Sequence, residues 1–310
     1  MMGLMRVLLT FFSFYFLFNI FVAFDPNGDG PYTGVGNSRI VKFNGGDRSW
    51  SDFAFNSSQR KPEISTLLMP ILDMAVVGPD GGLATRLVSE VEGKPLKFTN
   101  DMDIDEDEDV IYFTDSSTDY YRRQYMASML SGDKTGRLLK YNITSKEVTV
   151  LVRGIGFANG VALSKDRSFV LVVETSACKI LRLWLKGPKA GSVDVFAELP
   201  GFPDNIRRNS KEEFRVALHA KTGLVSFVYS NSFGKILLKL NLSPKQLFVV
   251  LEGGKVHATA IKLSEEGKIL DVLEDSTGKS LMFVSQVLEK DGKLWFGSVQ
   301  MPFLGIYNLH

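Results

Sequence analysis

Amide and carboxylate side chains recur in this chain at the head of a repeated phrase, where their spacing could do chemistry. Asn100-Asp, Asn159-Gly and Asp204-Asn205 each open a β-rich run. Such side chains offer oxygen donors to a hard cation, and they also favour turns because they hydrogen-bond their own backbone. Equivalent placement in three copies favours a shared site over turn propensity alone. The internal histidines are His219, at the end of the run Val216-Ala-Leu, and His257, which opens a later copy. Each reads either as a general base or as a hydrogen-bonded structural histidine, and no Ser or Cys nucleophile spacing accompanies them.

These residues must be positioned by short strands. The phrase couples an apolar approach, an amide or carboxylate cluster, an acidic turn and a second β-rich run. Its clearer copies begin at Val22, Asn100 and Asn159, and weaker ones at Asp204, His257 and Val284. Spacings of roughly 45 to 60 residues are those of propeller blades. Helical periodicity is confined to the stretch from Thr118 to Gly132, where Tyr121, Tyr125, Met129 and Leu130 fall on one face, predicting a short helix inserted above a blade. The run Lys61 to Ala75 has two prolines and no alternation, so a strand pair is expected to be missing between Arg60 and Val76. Asp103 to Asp109 is acidic but lacks the glycine and closing glutamate of an EF-hand loop, and reads as a solvated β-turn.

With 310 residues, 45% apolar and 23% charged, the chain can bury a large core. A net charge of +1 with interleaved signs offers no surface for a phosphate backbone, which excludes nucleic acid as a partner class. Residues 1–24 carry one Arg followed by an apolar run, the pattern of a signal peptide or signal anchor, and this is the expected contact with a membrane. Sequons at Asn56, Asn142 and Asn241 fit a secretory route to the vacuole or endoplasmic reticulum. A single cysteine, Cys178, allows no intrachain disulfide and suits a small buried side chain.

The chain resembles the plant strictosidine synthase-like family, six-bladed propellers related to paraoxonases and gluconolactonases. The resemblance rests on Phe24-Asp-Pro-Asn-Gly-Asp-Gly-Pro-Tyr-Thr-Gly-Val, Val77-Gly-Pro-Asp-Gly-Gly-Leu-Ala-Thr, Phe98-Thr-Asn-Asp-Met-Asp-Ile and Tyr112-Phe-Thr-Asp-Ser-Ser. It continues through Thr135-Gly-Arg-Leu-Leu-Lys-Tyr, Trp184-Leu-Lys-Gly-Pro-Lys-Ala-Gly, Gly201-Phe-Pro-Asp-Asn-Ile-Arg-Arg-Asn, His257-Ala-Thr-Ala-Ile-Lys and Lys290-Asp-Gly-Lys-Leu-Trp-Phe-Gly-Ser. Two departures stand out. Lys61 to Met74 replaces the family's Cys-Gly-Arg-Pro stretch and a following strand, and the apolar leader runs straight into the Phe-Asp-Pro phrase.

The resemblance implies an all-β, six-bladed β-propeller over residues 25–310, with one blade incomplete and a short inserted helix. It implies calcium in a central tunnel, held by Asn100, Asn159, Asp204 and Asn205, while the family's glutamate ligand would fall near Ile20. The implied activity is hydrolysis of small esters or lactones bound in that tunnel, with His257 as a candidate base. The condensing reaction that names the family uses a catalytic glutamate, and Ser285 stands at that position, with Phe283 where a histidine would lie two residues earlier. A serine hydroxyl does not take a proton from an ammonium near neutral pH, so strictosidine synthesis is not expected. The alternative from another class is a catalytically silent propeller kept as a scaffold or binding protein.

Overall fold

The computed structural model describes residues 7–10, 21–25, 27–35, 39–55, 74–221 and 257–309, with the single positions 236, 240 and 246. Apolar runs broken by Asp-, Ser- and Gly-bearing turns fold into successive antiparallel hairpins. The first six strands are β1 (Val7–Thr10), β2 (Tyr32–Val35), β3 (Arg39–Asn44), β4 (Ser49–Phe55), β5 (Met74–Gly78) and β6 (Gly81–Val88). They form one sheet in the order β1-β5-β6-β4-β3-β2. Among the described residues, its two halves are hydrogen-bonded to each other through a parallel contact that pairs Ala54 with Gly82 and Phe55 with Leu83, and they share an apolar cluster that includes Ile40, Ala54, Ala75 and Val77. A two-stranded hairpin of β7 (Glu90–Val91) and β8 (Lys94–Pro95) follows.

Three four-stranded meanders come next. One holds β9 (Thr99–Asp105), β10 (Val110–Asp115), β11 (Gly136–Asn142) and β12 (Val148–Ile155). The second holds β13 (Ala158–Leu163), β14 (Phe169–Glu174), β15 (Lys179–Trp184) and β16 (Val193–Glu198). In the third, β17 (Gly201–Arg208) and β18 (Phe214–Lys221) are joined by β19 (Ala258–Leu263) and β20 (Ile269–Asp275). A three-stranded sheet of β21 (Val284–Lys290), β22 (Lys293–Ser298) and β23 (Gly305–Asn308) completes the described chain. Strands β9, β13, β17 and β21 lead their sheets and lie against one another in that order. This is an all-β propeller, with five sheets of three or more strands among the described residues.

The core lies between the sheets rather than within one layer. Phe169, Phe196 and Phe214 interlock between the second and third meanders, with the Phe196 and Phe214 rings edge to face at 5.7 Å. Both faces of β10, β13 and β14 are buried, which is why their sequences read as continuous apolar runs rather than alternations. Only Glu106 to Asp109 of the acidic run make the solvated β9–β10 turn; Asp103 to Asp105 belong to β9, and Asp105 is buried. The Asp105 carboxylate accepts from the Asp107 and Glu108 amides, and Arg167 pairs with Asp105 and Asp107.

The predicted helix is present between β10 and β11 as a 3-10 turn, Arg122–Gln124, leading into α1 (Tyr125–Ser131). Gly132 ends it in the left-handed conformation at φ 72°, a backbone state that costs glycine nothing. Met129 and Leu130 are buried as expected, whereas Tyr125 faces solvent.

The irregular stretch from Lys61 lies almost wholly outside the described residues, as do Asn56, Asn241 and Ile20. Most of the leader at 1–24 lies there too, but Val7–Thr10 is described, as β1, antiparallel to β5. No helix among the described residues is long and apolar enough to cross a membrane.

Candidate functional site

The amide and acid residues singled out by the sequence sit in matching β-bulges. In β9, the step from Thr99 to Met102 lies opposite only Asp115 to Phe113 of β10. The same three-against-two mismatch recurs from Ala158 to Val161, from Pro203 to Ile206 and from Val284 to Val287. A bulge leaves its extra residue unpaired and re-aims its side chain. Asn100, Asn159, Asp204 and Ser285 therefore hold one shared register position on four leading strands. Asn205 is displaced by one residue and shares its register with Asp101, Gly160 and Gln286.

A relay of hydroxyls fixes the amides. Asn100 Nδ2 donates to Ser116 Oγ at 2.9 Å, and that hydroxyl donates to the Ala158 carbonyl of the next sheet at 2.6 Å. One sheet further, Asn159 Nδ2 donates to Thr175 Oγ1 at 3.1 Å, and Thr175 donates to the Pro203 carbonyl at 2.7 Å. With its nitrogen committed, each amide presents its oxygen elsewhere. Asn159 Oδ1 is buried and meets no hydrogen-bond donor among the described residues. An orphaned buried acceptor beside another amide and a carboxylate is the arrangement a bound cation would relieve. Thr175→Val should cost about 1–3 kcal/mol, because it strands both the Asn159 amide and the Pro203 carbonyl; the midpoint of urea unfolding reads it directly.

Asp204 lies deep among protein groups yet keeps part of its surface open. Burial pushes its carboxyl up to about 7, with a hydrogen bond from Asn159 and the charges of Arg122 and Arg207 pulling back and Asp101 adding to the rise. Arg122 comes from the inserted segment. Its guanidinium lies over the Phe98 ring at 4.8 Å and donates to the Thr99 carbonyl. Burial lowers Arg122 to about 9 against the pull of Asp204 and Asp115.

One register step away, a polar crossbar spans the axis. Arg207 of β17 grips Asp101 of β9 through two bonds of 2.6 and 2.7 Å, and Val161 N–H of β13 donates to the same carboxylate at 2.9 Å. Gln286 of β21 accepts from Arg207 at 3.4 Å and donates to the Val22 carbonyl at 2.7 Å. Burial pulls the guanidinium of Arg207 down, but the charge and hydrogen bonds of Asp101 together with the charges of Asp103 and Asp204 hold it above its ordinary value.

Neither histidine is a member of the four-bulge register. His219, near the end of β18, lies 5.4 Å from the Phe283 ring, and burial followed by the nearby His257 lowers it to about 4, so the imidazole is neutral at physiological pH. His257 Nε2 accepts from the Lys221 amide at 2.9 Å, and its carbonyl accepts from Phe283 N–H. Its imidazole is engaged with the backbone, and the shared register of the four bulges does not include it. Ser285 is fully buried at its ring position. Asn142, the one sequon asparagine among the described residues, ends β11 and accepts from the Ser145 amide.

The sequence reading missed Arg122, Asp101, Arg207 and the two relay hydroxyls. A signal for the bulges was available: a phenylalanine stands two residues before each ring residue, at Phe98, Phe157, Phe202 and Phe283. All four are buried, and Met129 and Leu130 of α1 pack with the first three.

The strand order and sheet packing define a β-propeller, and solved structures share the fold. A gluconolactonase from Xanthomonas campestris is similar with a TM-score of 0.56 at 13% identity, over 88% of this chain and 79% of that one. A calcium-binding regucalcin from Agrobacterium tumefaciens is similar with a TM-score of 0.56 at 12% identity, over 93% and 87%. A family profile described as strictosidine synthase matches residues 100–188. The Arabidopsis thaliana protein strictosidine synthase-like 10 is 56% identical over 93% of this chain and 84% of its own length, and strictosidine synthase-like 3 is 45% identical over 93% and 81%. The chain belongs to the strictosidine synthase-like family.

Proposed function

We propose that this protein hydrolyses small esters or lactones in the tunnel of a six-bladed propeller, with calcium held at the ring of Asn100, Asn159 and Asp204. The observation that supports it best is the orphaned, buried oxygen of Asn159 beside the other ring donors. The blade count follows if the six-stranded sheet is two blades, one of β2-β3-β4 and one built on the β5-β6 hairpin, touching at the short contact between β4 and β6.

The two amide oxygens and the Asp204 carboxylate suit a hard cation, and Asn205 lies one residue outside their register. Bound there, calcium would polarise a carbonyl and stabilise the oxyanion formed on attack. Ser116 and Thr175 hold the amide nitrogens and so leave the amide oxygens available to a cation. His219 stays neutral and so retains a lone pair able to accept a proton, whereas Ser285 cannot serve as the acid and base of an amine–aldehyde condensation. That substitution also favours the second reading, a silent propeller that binds a ligand without transforming it. Passage through the secretory route to the vacuole or endoplasmic reticulum, with glycans at Asn56, Asn142 and Asn241, belongs to the same proposal.

Thermal unfolding with calcium and with chelator tests the ring. A midpoint that rises with calcium, and does not in Asn159→Leu, supports it; a midpoint indifferent to calcium removes the metal and the hydrolase reading with it. Lactone and ester hydrolysis by the calcium-loaded protein then separates enzyme from scaffold.

The pH dependence has a definite sign. The Asp204 carboxyl is raised in the folded protein to about 7, so the metal-free fold is favoured in acid and loses that contribution as pH rises from the ordinary carboxylate range through about 7. Calcium needs the ionised form, so its affinity should fall about tenfold per pH unit below about 7. Calcium titrations at several pH values measure this slope, and Asp204→Asn should abolish it.

A further inference from the structure

The apolar leader invites the reading that everything before Asp25 is an address, yet the last residues of that stretch are stitched into the propeller. The Phe21 carbonyl accepts from Thr33 Oγ1 at 2.6 Å, and Ala23 exchanges both backbone bonds with Tyr32, at 3.0 and 2.8 Å. The intervening residues face the other end of the chain. Val22 is 2% exposed and its carbonyl accepts from Gln286 Nε2 at 2.7 Å, while the Phe24 ring stands edge to face with Trp295 at 5.2 Å. This alternation is that of a strand lying between two sheets, one formed by the start of the chain and one by its end. It is the seam that closes the propeller, and through Gln286 it reaches the Arg207–Asp101 crossbar.

We propose that Phe21 to Phe24 are a structural part of the mature protein, so that a leader peptidase cuts before Phe21 or does not cut at all. Leader removal acts on the unfolded chain, so burial gives no protection from the cut. What burial decides is which product folds. A chain starting at Asp25 would lack the Val22 carbonyl that orients Gln286, the backbone partner of Tyr32 and the ring against Trp295. It would leave buried polar groups and an unpaired strand edge at the seam.

Expression of the full chain in a secretory host, followed by intact mass of the folded product, reads the mature N-terminus. The expected terminus lies at or before Phe21, an uncleaved chain included; a folded product beginning after Phe21 overturns the proposal. Two shortened chains, starting at Asn19 and at Asp25, supply the second measurement. The chain from Asn19 should unfold cooperatively, and the chain from Asp25 should melt at least about 10 °C lower or without a cooperative transition. Equal melting of the two overturns the proposal even if the natural cut lies upstream.

Discussion

Arg207→Met should lower the stability of the propeller by about 3–5 kcal/mol, the cost of leaving a buried charge without its partner. Arg207 bridges β17 to Asp101 of β9 across the intervening β13, and its loss strands a carboxylate that is 8% exposed at its side chain. Without Arg207, that carboxylate keeps the Val161 N–H as a donor. Asp101→Leu alone should be as costly, since it strands the guanidinium. The double replacement should recover most of the loss, because two apolar groups of similar size impose no desolvation penalty. A double-mutant cycle in urea, read at the unfolding midpoint, gives the coupling. Near-additive single effects would mean that the crossbar contributes little beyond packing. Thermal midpoints of the single variants should fall by about 10 °C.

Gly160→Ala should be worse still, by on the order of 4 kcal/mol or more. A Cβ at this position would lie 2.6 Å from Ile206 N, 2.7 Å from Asn205 Cα and 2.8 Å from the Asp204 carbonyl oxygen. All three are backbone atoms of the neighbouring leading strand, so no side chain can swing away to make room. The substitution must push β13 from β17 at the level of the ring, separating Asn159 from Asp204. Cooperative unfolding should be lost or shifted strongly downward, and any calcium response should go with it. Retention of a wild-type midpoint would show that β13 and β17 are further apart than the structure places them.

The phrases at Asn100, Asn159, Asp204 and Val284 each open a sheet, whereas the copy at His257 does not open a blade: it leads into β19, the third strand of the sheet begun by β17. Short apolar runs punctuated by Asp and Gly turns specify hairpins locally, so the meanders and the inserted helix could be read without tertiary knowledge. The amides at Asn100 and Asn159 and the acid at Asp204 were also readable, because each opens its phrase at the same place. What could not be read is what depends on one sheet meeting another. Arg207 and Asp101 are 106 positions apart, and nothing in either local sequence marks them as partners. Asn205 looked equal to Asp204 because adjacent residues differ only in register, and register is decided by the bulge. The need for glycine at 160 comes from a neighbouring backbone and leaves no mark in its own phrase. The boundary after Phe24 was drawn by hydropathy, which separates water from oil and says nothing about whether the oil is a membrane or a protein core.

The hydroxyl relay has a handedness. Ser116 passes from Asn100 to the carbonyl before Asn159, and Thr175 passes from Asn159 to the carbonyl before Asp204, each link running from an earlier blade to a later one. The wiring works like a hoop around staves, tightened in one rotational sense. A defect at Ser116 should therefore be felt at both Asn100 and Asn159, and one at Thr175 at both Asn159 and Asp204, so each hydroxyl ties two neighbouring blades at the level of the ring.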